Sequence, residues 1–148
     1  MPLYFAFGSN MDAAQMARRC PGATPLGRAE LLAHRLVFRG PSKNRGGGVL
    51  SVDASDDDAI EGVIYEVTDA HLAALDRYEG APEWYVRAAR TVVDAAGVQH
   101  EVVVYRLPEE VREMPPTQAY VDQVAAAYAA LSMAPGPLHE AVDRARQA

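Results

Sequence analysis

Two runs rich in β-branched and aromatic residues, 84–93 and 98–107, are separated only by Asp94-Ala95-Ala96-Gly97. So short a connection between extended segments makes an antiparallel hairpin, because a parallel crossover needs a dozen or more residues. The chain is thereby committed to an antiparallel sheet, and its other segments must pair with that hairpin or cover it. Residues 3–7 are short and aromatic and end at Gly8, which reads as a buried strand. Residues 27–38 read as a long bent strand or as a strand following a turn, and residues 49–52 and 61–67 as two more. In the last of these Val63, Tyr65 and Val67 share a face. The acidic stretch 53–58 between them reads as a solvated turn.

Helical signals fill the remainder. Asn10 or Asp12 can cap a helix over 13–19, which Pro21-Gly22 stops. Thr68 or Asp69 opens a second helix with Leu72, Leu75 and Tyr78 as its inward stripe, and Gly80 followed by Pro82 ends it at Glu79. After Pro115-Pro116, residues 117–131 carry Tyr120, Val124, Tyr128 and Leu131 at helical spacing, and 138–146 form a short amphipathic helix. The glycine-rich stretch 40–48 is a loop by composition, because successive glycines lose too much backbone entropy in a regular element. Arg39, Lys43 and Arg45 read with it as a mobile solvated loop, with a gate over a pocket or a contact for a substrate carboxylate as the alternative. With 148 residues, 49% of them hydrophobic, and no internal repeat, the expectation is one α+β domain over 1–148. A chain of that size buries roughly two thirds of its unfolded surface.

Composition narrows the partners. Cys20 is the only cysteine, which leaves no disulfide or thiolate cluster within the chain and fits a reducing compartment. The net charge of −6, with its basic residues scattered, gives no footprint for nucleic acid. Neither a basic leader nor a long apolar stretch is evident, so the chain reads as soluble, cytoplasmic and directed at a small molecule. No phosphate loop, dinucleotide fingerprint, zinc-protease motif or nucleophile elbow occurs, and the four histidines fall in different elements, at surface or edge positions. No metal and no cofactor is expected.

Two segments gain meaning together: Tyr4-Phe5-Ala6-Phe7-Gly8-Ser9-Asn10, and Leu75-Asp76-Arg77-Tyr78-Glu79-Gly80 followed by Trp84-Tyr85-Val86-Arg87. They resemble the γ-glutamylcyclotransferase-like family, whose members open with an aromatic-Gly-Ser-Asn loop and carry a Glu-Gly pair before a Tyr-Val-bearing strand. Pro115-Pro116-Thr117-x-x-Tyr120 is similar to the segment that opens a late helix there, so the resemblance spans about residues 3–131. It implies a small, mostly antiparallel, barrel-like sheet with flanking helices, a cavity beside the Gly8-Ser9-Asn10 loop, and Glu79 as catalytic glutamate. Phe7 departs from the tyrosine of many relatives and brings no hydroxyl.

The implied activity is release of 5-oxoproline from a γ-glutamyl compound. Such an amide carries its own nucleophile, since its α-amine can close on the γ-carbonyl, leaving the protein to orient the chain and move one proton. Glu79, at a helix exit against a pocket wall, is placed for a raised pKa. Arg77 is two residues away, off that face, and is expected in solvent. The Gly8-Ser9-Asn10 turn offers amide hydrogens to an anion. Tyr85 and Tyr120 are expected to line the pocket, Glu83 is the rival carboxylate, and Trp84 and Tyr128 read as packing. Two other readings stand beside this one: a binding or regulatory domain without turnover, and a serine hydrolase using Ser9.

Overall fold

The computed structural model describes residues 1–148. Its strands are β1 (Leu3–Ala6), β2 (Thr24–Arg39), β3 (Val49–Glu66), β4 (Val86–Asp94) and β5 (Gln99–Arg106). They close into a barrel in the order β1-β3-β2-β4-β5, antiparallel at every seam except β1 with β5, where Tyr4 faces Val103. Four helices flank it: α1 (Ala13–Arg19), α2 (Asp69–Glu79), α3 (Gln118–Ala130) and α4 (Gly136–Gln147). This is the α+β, mostly antiparallel barrel that the resemblance implies.

The β4–β5 hairpin forms where its composition places it. Asp94 closes the turn by accepting from the Ala96 and Val98 amides at 2.9 Å, and Gly97 takes the left-handed conformation at φ 81°. The N-terminal caps settle on Asp12, which accepts from Ala14 and Gln15, and on Thr68, reciprocated by His71. Phe5, Leu31, Leu36, Phe38, Leu50, Ile60 and Leu107 fill the interior. α4 packs against the outside of β2, where Arg144 donates to the Leu36 carbonyl at 2.8 Å.

Four expectations need correction. Residues 53–58 do not end a strand: β3 runs through them, and its pairing jumps from Leu32↔Ala59 to His34↔Ala54. Ser55–Asp58 thus bulge against Ala33, which sits at φ 58°, and the ladder resumes because β2 is uninterrupted. Arg39 closes β2, buried, its guanidinium 2.7 Å from Asp53 and bonded to the carbonyls of Glu109 and Val111. Tyr78 is 51% exposed, with the Arg19 guanidinium 4.8 Å above its ring. Trp84 and Tyr85 precede β4, in a tight coil after α2, because their amides bond back to Gly80 and Glu79.

Candidate active site

Glu79 is the last residue of α2, and Gly80 at φ 65° turns the chain sharply there. The following coil folds back on the helix end, with the Trp84 amide 2.7 Å from the Gly80 carbonyl and the Tyr85 amide 3.3 Å from that of Glu79. Tyr85 is thereby brought beside the carboxylate. The opposite wall is the exit of β1, where Gly8 leads into one 3-10 turn over Ser9–Met11. The first amides of such a turn find no acceptor within it. Tyr120 reaches in from α3, its hydroxyl 3.6 Å from where a Cβ on Gly8 would lie.

Polar contacts fix how these pieces face one another. Buried Asn10 donates from Nδ2 to the Tyr4 hydroxyl at 2.9 Å and to Glu79 Oε1 at 3.4 Å. Its Oδ1 accepts from Gln15 Nε2 at 2.8 Å and Arg19 Nη1 at 3.1 Å. A guanidinium only donates, so Arg19 dictates that the oxygen of Asn10 turns towards it and the N–H groups towards Glu79. The same logic orients buried Gln15: its Oε1 accepts from Arg45 Nη2 at 3.3 Å and Gln123 Nε2 at 2.7 Å, which leaves Nε2 for Asn10 and for Ser9 Oγ at 2.9 Å. Arg45, from the 40–48 loop, also donates to Gln123 Oε1 at 2.8 Å and lies over the Tyr120 ring. That loop is tied to α1 and α3, at variance with its reading as merely solvated.

The Glu79 side chain is 15% exposed. Burial pushes its pKa up to about 7, against the opposing pull of Arg19, whose Nη1 lies 3.7 Å from Oε1, and of Arg45 and the Asn10 hydrogen bond. Arg77 is exposed at the outer rim, as its helical position implies. The cations acting on Glu79 come from other elements. Arg19→Met should therefore raise the Glu79 pKa further, because the ionised form loses its nearest cation; carbon-13 NMR titration of the carboxylate checks the direction.

A cleft of about 470 Å³ opens outside the carboxylate, and a chamber of about 30 Å³ lies behind it. Ser9, Glu79, Tyr85 and Tyr120 line both. Phe7, Gly8, Ser9, Asn10, Glu79, Tyr85 and Tyr120, all singled out from sequence, surround the inner chamber together. Tyr4, Leu50 and Tyr105 complete it. Glu83 is exposed on the outer wall, and Trp84, half-buried, lines that wall too, in addition to packing. Sequence reasoning missed Tyr4, Gln15 and Arg19. Gln15 and Arg19 were signalled by their i, i+4 spacing, which puts two polar side chains on one face of α1. No helix is long and apolar enough to cross a membrane.

Comparison with known proteins bears on this arrangement. Residues 4–123 match the model of the family described as gamma-glutamyl cyclotransferase, AIG2-like. The chain belongs to this family. The matched stretch takes in every residue that lines the chamber and ends within α3, short of α4. A gamma-glutamylcyclotransferase of Bos taurus is 29% identical over 123 residues, which is 80% of this chain and 65% of that protein. The chain thus spans just under two thirds of the curated relative it matches. Among solved structures, one named gamma-glutamyl cyclotransferase superposes with a TM-score of 0.84 at 24% identity, covering 98% of this chain and 86% of that one. An uncharacterized Homo sapiens protein gives 0.82 at 25% identity, with 97% and 85% covered. Family and barrel agree.

Proposed function

We propose that the chain is a γ-glutamyl cyclotransferase that closes a γ-glutamyl amide on itself, releasing 5-oxoproline and a free amine or amino acid. The observation that carries this reading is a carboxylate of near-neutral pKa, Glu79, facing a chamber of hydrogen-bonding groups beside the Gly8–Asn10 turn. A group titrating near working pH can both take a proton and return one. The substrate α-amine attacks the γ-carbon, Glu79 accepts the proton the amine sheds, and the same proton passes to the leaving nitrogen as the C–N bond breaks. The amides at the start of the Ser9–Met11 turn suit the α-carboxylate of the γ-glutamyl group, and the outer cleft, which Ser9 and Glu79 also line, has room for the substrate.

The serine-hydrolase reading finds no support in the geometry. Ser9 Oγ accepts from Gln15, and no histidine lines the cleft or the chamber. The deciding experiment is mass-spectrometric detection of 5-oxoproline from a panel of γ-glutamyl amino acids and γ-glutamyl amines. Release of 5-oxoproline is expected from at least one, and Ser9→Ala should retain most of it. Tight binding of such compounds without turnover would instead make the chain a binding domain.

A further inference from the structure

Four tyrosines line the inner chamber, and their hydroxyls are not equivalent. A phenol carries a single proton. Tyr85 donates its proton to the Leu50 carbonyl at 2.8 Å, and Tyr105 donates to Asp76 Oδ1 at 2.6 Å. Tyr4 and Tyr120 are used the other way round. The Tyr4 oxygen accepts from Asn10 Nδ2 at 2.9 Å, and the Tyr120 oxygen accepts from the Leu50 amide at 3.2 Å; neither O–H donates to a group of the protein. Both hydroxyls are buried, and each has its oxygen anchored by an N–H donor while its proton is left to the chamber.

Position adds to this. Asn10 holds Tyr4 and Glu79 through the same amide nitrogen, so the Tyr4 hydroxyl and the carboxylate flank one point. Tyr120 stands over Gly8, at the entrance to the same turn. We propose that Tyr4 and Tyr120 are catalytic residues whose two O–H groups donate to the γ-carbonyl oxygen as negative charge collects there. This rests on the cyclisation reading above. As the α-amine nitrogen bonds to the γ-carbon, the carbonyl π pair moves onto oxygen, and the two phenols hold that oxyanion. When the pair returns, the bond to the leaving nitrogen breaks and Glu79 supplies the proton to it. Neither tyrosine loses its own proton. Burial, chiefly, pushes Tyr120 up to about 12 and lifts Tyr4 well above the ordinary tyrosine value, so both stay protonated throughout the range in which Glu79 titrates.

The test compares Tyr4→Phe and Tyr120→Phe with Tyr128→Phe, which removes the hydroxyl of a buried tyrosine on α3 that lines neither cavity. Losing one donor to a developing oxyanion lowers kcat by about 10²-fold or more, with KM nearly constant. That is the expectation for Tyr4→Phe and Tyr120→Phe, whereas Tyr128→Phe should hold kcat within a few-fold even where it lowers Tm. Tyr120→Phe strands the buried Leu50 amide and risks misfolding. Tyr4→Phe strands no backbone group, and 3-fluorotyrosine at position 4, which keeps the hydroxyl, should restore kcat. Unchanged kcat in Tyr4→Phe, a loss carried entirely by KM, or an equal fall in Tyr128→Phe would overturn the tyrosine pair while leaving cyclisation standing. A wild-type protein that releases no 5-oxoproline from any γ-glutamyl compound would overturn cyclisation, and the tyrosine pair with it.

Discussion

Replacing Glu79 with glutamine should lower the rate of 5-oxoproline release by about 10²–10⁴-fold, the range that a positioned proton-transfer group contributes. Glutamine keeps the size of the side chain and an oxygen for the Asn10 amide, so the loss should fall on kcat. The wild-type pH profile should show a lower limb near pH 7, where Glu79 ionises to become a base, and the residual activity of the variant should lack it. Stability should move the other way. The folded pKa, raised by burial from 4.5 to about 7, means the native state holds a proton that the unfolded chain has released between those values. The stability this proton brings is fully present below pH 4.5 and is lost as pH rises through 7. The difference corresponds to a cost on the order of 3 kcal/mol for holding the ionised carboxylate above pH 7. Glutamine never ionises, so Glu79→Gln should gain stability relative to wild type at pH 8 but not at pH 4. Thermal melts at the two pH values measure this. A variant that keeps its full rate, or whose stability follows pH as the wild type does, would remove Glu79 from its role.

Glu79 was legible because its markers are local: a helix stripe in Leu72 and Leu75, then Gly80 and Pro82 to end it. The residues that tune it were not. Arg19, Gln15 and Arg45 reach the carboxylate or Asn10 from α1 and from the 40–48 loop, and helical spacing tells which side chains share a face without telling what that face meets. Tyr4 was quoted for the resemblance, yet alternation in β1 says only that it is buried. Its hydroxyl matters because Asn10, six residues on, turns back towards it. The acidic run at 53–58 misled for a related reason. Exposure was read properly for Asp56–Asp58, though not for Asp53, which pairs with buried Arg39. The strand continues there because its partner does, and pairing is a property of two segments.

The glycines of the 40–48 loop carry the same lesson to a measurable end. Composition reads them as flexible. Gly46 fits that reading, at φ +78° with open space where a Cβ would go. Gly48 does not, because its Cβ would overlap the Met114 carbonyl oxygen and press on the Phe38 side chain. The segment before α3 lies along the loop as an added strand would, with the Gly40 amide 3.1 Å from the Arg112 carbonyl, the Met114 amide 3.1 Å from that of Phe38, and the Gly48 amide 3.0 Å from that of Pro115. This contact sets where Thr117 caps α3 and so where Tyr120 enters the chamber. Gly48→Ala must move backbone against backbone, and should destabilise by more than about 3 kcal/mol, beyond ordinary overpacking. It should also cut turnover, by displacing Tyr120 and Arg45 together. Gly46→Ala meets no neighbour, and its cost should be only the roughly 1–2 kcal/mol of a left-handed non-glycine residue. Urea unfolding of the two variants ranks them. If Gly46→Ala proves as damaging as Gly48→Ala, backbone freedom governs this loop; the larger loss in Gly48→Ala would mean that its glycines are there to let α3 approach the site.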